Sequence, residues 1–76
     1  MPPRADPARM TTVRTVMTQL VVARHARGMT QQQLAEKMDT SVLSISHWEN
    51  GHSDPLLSSV VAYARAVGLN TLHLDL

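Results

Sequence analysis

Residues 28–51 hold two helix starts and two helix stops in one short window, and no other stretch restricts the fold as strongly. Thr30 precedes Gln31, and Gln33 lies three positions after Thr30. That is the spacing of a capping box, in which side chain and backbone exchange hydrogen bonds across the first turn. Ser41 opens a second amphipathic segment that runs to Glu49, and Asn50-Gly51 closes it. Glycine is favoured there because it takes the left-handed conformation that ends helices without a steric penalty. Leu34, Ala35 and Met38 share one side of the first segment, about 31–38, and Ile45 and Trp48 share one side of the second, about 42–49. Neither segment is long enough to be stable alone, so each must pack on the other and on further structure.

The flanking sequence supplies that structure. Val13, Val16, Met17, Leu20, Val21 and Ala23 recur at helical spacing and predict a helix that ends near Arg27, with Gly28 just past it. Its start lies either at Asp6-Pro7, a capping residue followed by proline, or near Thr11 or Thr12. Arg24 and Arg27 in its last turn suit the negative end of the helix dipole. Asp54-Pro55 repeats the start signal and predicts a helix from about Pro55 to Val67, buried through Leu57, Val60, Val61, Ala64 and Val67 and stopped by Gly68. The segment from Asn70 onward is ambiguous. Asn70 can cap a fifth short helix, yet Leu72, Leu74 and Leu76 alternate with polar residues at strand period. A lone strand needs a partner, and the same segment of a second copy can supply it. The expected organisation is therefore an arm over 1–11, one domain over 12–70, and a C-terminal segment over 71–76 suited to dimerisation.

A chain of 76 residues has room for one small core, and such domains often gain stability by dimerising. With one Trp, one Tyr and no Phe, the core must be Leu, Val, Met and Ala, which favours an all-α bundle. The absence of cysteine excludes disulfides and thiolate zinc sites. His25, His47, His52 and His73 share no metal-binding spacing, and neither a nucleophile elbow, a Gly-rich phosphate loop nor a carboxylate pair is present. We therefore expect no cofactor, no metal, no catalytic residue and no enzymatic activity. No apolar run is long enough to span a bilayer and the N-terminus does not read as a signal peptide, so the expected location is cytoplasmic.

Net charge is only +1, but it is unevenly spread. Arg4, Arg9, Arg14, Arg24 and Arg27 face Asp6 alone in residues 1–30, whereas residues 31–76 hold Lys37 and Arg65 against Glu36, Asp39, Glu49, Asp54 and Asp75. The segment from Ser41 to Glu49 carries no Lys or Arg.

Two short helices joined by a tight break form a helix-turn-helix, whose second helix commonly enters the major groove of DNA. Thr30-Gln31, Leu34-Ala35, Ser41, Ile45-Ser46, Trp48-Glu49-Asn50-Gly51, Pro55 and Ala64-Arg65-Ala66-Val67-Gly68 stand in register with one family. Over about residues 20–70 the chain resembles the phage repressor and Cro-type (XRE-like) helix-turn-helix proteins. The resemblance implies a compact, lambda-repressor-like bundle of four or five helices in a bacterial cell or phage-infected host. It further implies a dimer that binds an inverted-repeat operator on double-stranded DNA to regulate transcription. It implies DNA contacts at Thr30, Gln31, Gln32, Ser41, Val42, Leu43, Ser44, Ser46, His47, Asn50 and His52. Gln31 would grip a phosphate and brace the recognition helix, and Arg24 and Glu49 match a structural ion pair. Arg4, Arg9 and Arg14 are candidates for an arm that reaches phosphates or a minor groove.

The chain departs from the family at Val42 and Leu43, where many members carry Gln, Arg or Asn. Bidentate reading of guanine needs Arg or Lys, and of adenine Gln or Asn. Apolar side chains can instead touch a thymine methyl, with the serine hydroxyls, His47 and DNA deformability contributing the rest. Val42 and Leu43 are open to another reading, as packing residues or as a docking patch. That keeps a second function in view: a protein-binding module of the same fold, such as an antitoxin or an anti-repressor partner.

Overall fold

The computed structural model describes residues 12–69 and contains α1 (Val13–Ala26), α2 (Gln31–Met38), α3 (Val42–Asn50) and α4 (Leu57–Ala66). No strand occurs among the described residues, and no helix among them is long and apolar enough to cross a membrane. The expected fifth helix or strand with Leu72, Leu74 and Leu76, and the arm with Arg4 and Arg9, lie outside the described residues.

Each helix begins where its sequence supplies a hydrogen-bond acceptor, with one exception. The Thr15 amide donates to Thr12 Oγ1 at 3.1 Å, so the later of the two starts opens α1. Along α1, Val16, Met17, Leu20 and Arg24 form the buried stripe, three or four residues apart as a helix face requires. The capping box of α2 is complete: Gln33 N–H donates to Thr30 Oγ1 at 3.0 Å, and Thr30 N–H donates to Gln33 Oε1 at 2.9 Å. The chain then reverses through Asp39, whose φ of 54° is left-handed, and the Thr40 amide bonds back to the Ala35 carbonyl at 2.9 Å. Ser41 opens α3 by accepting from the Ser44 amide at 3.0 Å, and Gly51, at φ 77°, ends it.

The exception is α4. Asp54-Pro55 predicts a start at Pro55, but the helix begins at Leu57 behind Leu56, which provides no side-chain cap. Leu56 is still extended, at φ −64° and ψ 155°, so Pro55 stands outside the helix instead of at its first position. The buried face also differs from the expected one. Val60, Tyr63, Ala64 and Val67 point inward, whereas Leu57 is 67% exposed and Val61 lies on the flank. Centring the face on Val60, Ala64 and Val67 turns it toward Tyr63 and away from Val61.

α2 packs on α3 and α4, and α1 packs on α3. Met17, Leu20, Leu34, Ile45, Tyr63 and Val67 are enclosed at the centre. Val42, Met38 and Trp48 are half-buried around its edge. α3 therefore has one side fixed by the core and one side facing solvent.

Candidate nucleic-acid interface

α3 is held mainly at its C-terminal turn. Glu49, on the inner side of that turn, accepts from three other helices. Arg24 of α1 reaches it with two parallel bonds, Nε to Oε2 at 2.8 Å and Nη2 to Oε1 at 2.9 Å. Gln31 of α2 donates Nε2–H to Oε1 at 3.0 Å, and the Tyr63 hydroxyl of α4 donates to Oε2. A carboxylate offers about four lone-pair sites, and here each has a donor. Arg24 spends two of its three remaining donors locally, on the Met29 carbonyl at 2.8 Å and on His25 Nε2 at 3.1 Å. The side chains of Arg24 and Glu49 are only 10% and 6% exposed, so this is a buried pair whose polar atoms are satisfied. The expected ion pair is thus present as part of a four-helix knot.

The same contacts fix the protonation states. Burial pushes the Glu49 carboxyl upward, but hydrogen bonds from Arg24, Tyr63 and Gln31 outweigh it and hold the group below its ordinary value. The hydrogen bond to Glu49 raises Arg24 against the opposing effect of burial. Burial, then the bond to the carboxylate, pushes the Tyr63 phenol well above its ordinary value. At neutral pH the pair is charged and the phenol keeps its proton.

Arg14 adds a second tie. Grouped with the N-terminal arm on sequence grounds, it lies in the first turn of α1 and donates into the end of α3: Nη1 to the Trp48 carbonyl and Nη2 to the Glu49 carbonyl, both at 3.1 Å. A guanidinium at a helix C-terminus meets unpaired carbonyls and the negative end of the dipole. Two of its five donors are therefore spent within the protein, and its place is on α1 instead of in the arm.

The N-terminal turn and outer side of α3 are held far more lightly. Leu43, Ser46, His47 and Asn50 follow one another at helical spacing along the side away from Ile45. Leu43 is 64% exposed, whereas Val42 is half-buried and packs against the core. The two residues that sequence treats alike are thus separated by one helical step. Ser41 donates its hydroxyl to Ser44 Oγ at 2.9 Å, which leaves the Ser44 hydroxyl proton available. Asn50 Nδ2 donates to Ser46 Oγ at 3.1 Å, leaving the Ser46 proton and the Asn50 carbonyl unspent. The His47 and His52 rings lie 5.5 Å apart, tilted by 57°, joining the end of α3 to the loop after it.

At the start of α2, Thr30 is committed to its cap, and Gln32 makes a long 3.4 Å contact to Glu36. Gln31 holds Glu49 with one of its two amide protons and retains the other. The Arg24–Glu49 contact is the one the family resemblance implies, and Gln31 bonds the same carboxylate; Tyr63 is a partner the sequence reading does not include. Two signals pointed to it: the residue falls on the Val60–Ala64–Val67 stripe, and a buried tyrosine hydroxyl requires a partner.

A family model described as helix-turn-helix matches residues 22–74. No curated protein and no solved structure matches the chain.

Proposed function

The chain belongs to the XRE-type helix-turn-helix family, whose domains bind DNA and regulate transcription, and we propose that it acts as a homodimeric repressor or Cro-like protein on an inverted-repeat operator. In this reading α3 enters the major groove by its N-terminal turn, presenting Leu43, Ser44, Ser46 and His47 to base edges. Thr30, Gln31 and Gln32 place the start of α2 against a phosphate, where unpaired backbone amides and the positive dipole end favour an anion. Asn50 and His52 contact the backbone farther along. The observation that carries the proposal is the asymmetry of α3, whose inner C-terminal turn is tied to three helices while its outer N-terminal side is exposed.

α3 carries no Lys or Arg and Arg24 is buried against Glu49, so few cations stand on the helix itself to neutralise phosphates. The affinity should accordingly depend only weakly on salt, because each phosphate neutralised adds about one unit to the salt slope. Removal of residues 1–11, with Arg4 and Arg9, should flatten it further. The decisive experiment is selection of bound duplexes from a random pool at low salt. The expected product is a palindrome with half-sites about one helical turn apart; recovery of no preferred sequence would overturn the reading.

The dimer contact proposed is the segment 71–76, through Leu72, Leu74 and Leu76. Deleting it should give monomers by sedimentation and a weaker operator complex. An unchanged dimer would instead direct attention to Leu56 and Leu57 at the start of α4 and Val61 near its middle, all exposed.

One observation favours a second reading. An exposed leucine on a helix without Lys or Arg also suits a protein partner, as in an antitoxin or anti-repressor complex. Ser44→Ala separates the two, because removing an exposed hydroxyl should weaken DNA binding and leave an apolar protein contact nearly intact.

A further inference from the structure

α3 offers little to read bases by hydrogen bonding. Its first turn has no guanidinium, ammonium or amide side chain, so neither guanine nor adenine can be gripped at two points there. The Ser41 hydroxyl proton is spent on Ser44, which leaves one hydroxyl donor, Ser44, beside Leu43. Val42 is withdrawn into the core edge. What projects from this turn is the Leu43 side chain, 64% exposed. An aliphatic side chain discriminates among base pairs only where the groove presents an apolar group. In the major groove that group is the C5-methyl of a pyrimidine, since every other distinguishing atom there is a hydrogen-bond donor or acceptor.

We propose that Leu43 is the specificity-determining residue of α3 and reads a pyrimidine C5-methyl, carried by thymine or by 5-methylcytosine, once in each half-site. This rests on the reading that α3 docks in the major groove, and it adds a property that docking alone does not require. Methylation of a cytosine at that position would then create a contact, so the protein would distinguish methylated from unmethylated DNA there. The neighbouring Ser44 hydroxyl can donate to an acceptor on the same or the adjacent base pair, which fixes the frame in which the methyl is met.

The test uses the full chain and the duplex recovered from the random pool. Each thymine of a half-site is replaced in turn by deoxyuridine, which removes the methyl group and nothing else. One position per half-site should lose affinity by about fourfold, the equivalent of one buried methyl-sized group. At that position 5-methylcytosine should bind tighter than cytosine by a similar factor. Leu43→Ala should abolish both differences while its far-UV circular dichroism stays that of the parent. The inference is overturned if no thymine is sensitive, or if the sensitivity survives in Leu43→Ala. Selective binding with silent uracil substitutions would sink this inference and leave the docking reading intact. Recovery of no preferred sequence would sink both.

Discussion

The two ends of α3 are built on opposite principles. At the C-terminal end, Arg24, Gln31 and Tyr63 converge on one carboxylate and Arg14 covers the last carbonyls. At the N-terminal end, one serine caps the first turn and Leu43 faces solvent. Charge is concentrated where the helix is held, and the end that would meet a partner carries none. A buried ion pair contributes little net stability over an apolar replacement but defines geometry, because removing one partner strands the other. Such a pair far from the reading surface orients the helix without occupying the atoms that must stay accessible. A tyrosine from α4 joins the Arg24–Glu49 pair and Gln31, so each of the other described helices contributes to the aim of α3.

The largest effect is expected at the held end. Glu49→Ala should destabilise the protein by about 3–5 kcal/mol by urea or thermal melting, because Arg24 is left buried without its partner. Converting the pair together, Arg24→Met with Glu49→Leu, should recover most of that loss. A double variant as unstable as Glu49→Ala would show that the hydrogen bonds from Gln31 and Tyr63, and not the ion pair, dominate the knot.

Titration examines the same end. The folded state holds Glu49 below its ordinary value near 4.5, so the native protein binds fewer protons than the unfolded chain. The stability this provides is complete above about pH 4.5 and is lost as pH falls through the lower, folded value. Tyr63 behaves in mirror image: its folded value is raised above the ordinary 10.0, so its contribution is complete below pH 10 and lost at higher pH. Melting curves of Glu49→Gln should show a flatter acid limb than the parent, and those of Tyr63→Phe a flatter alkaline limb.

Tyr63→Phe should cost about 2 kcal/mol, the range for a hydrogen bond to a charged group. The phenyl ring keeps its place in the shared buried core, so the loss isolates the hydroxyl. A change under 0.5 kcal/mol would mean that Arg24 and Gln31 suffice to satisfy Glu49.

How far the sequence foretold this molecule depends on whether a feature is local. The caps at Thr30 and Ser41 and the stop at Gly51 are set by residues within one turn of each other and are readable, whereas Thr12 is one of several starts that the sequence leaves open. The Arg24–Glu49 pair spans 25 positions and was readable only through resemblance to a family. The start of α4 was misplaced because Asp54-Pro55 matches a local signal that the extended Leu56 overrides. The Tyr63 bond and the two Arg14 bonds depend on how helices meet, which no spacing within one helix encodes. Leu43 and Val42 show the same limit on a smaller scale. Both are apolar neighbours at the helix start, and only the direction of the core decides which is withdrawn.

Smaller changes compare the two ends directly. Arg14→Ala removes a C-terminal cap from α3 and Ser41→Ala an N-terminal one, and each should lower stability by about 1 kcal/mol. Their effects on the complex should differ. Loss of Arg14 leaves the reading turn in place, whereas loss of Ser41 releases the first turn and the Ser44 hydroxyl it positions. At a temperature where both variants are fully folded, Ser41→Ala should show the greater drop in operator affinity by duplex titration. Equal drops would mean that the whole helix, and not its first turn, sets the contact.

The smallest stability change should come from the most exposed part of the comparison. Leu43→Ala should shift the melting free energy by less than about 0.5 kcal/mol, as for most surface substitutions. If Leu43 were instead a packing residue, truncation would cost about 2–5 kcal/mol. Thermal melting therefore decides whether this leucine belongs to the core or to the surface before any DNA is added. A stable Leu43→Ala protein with lowered operator affinity would place the residue's energetic role wholly in the complex. At Glu49 the expectation is reversed, with stability lost first and affinity lost only because the helix is no longer held.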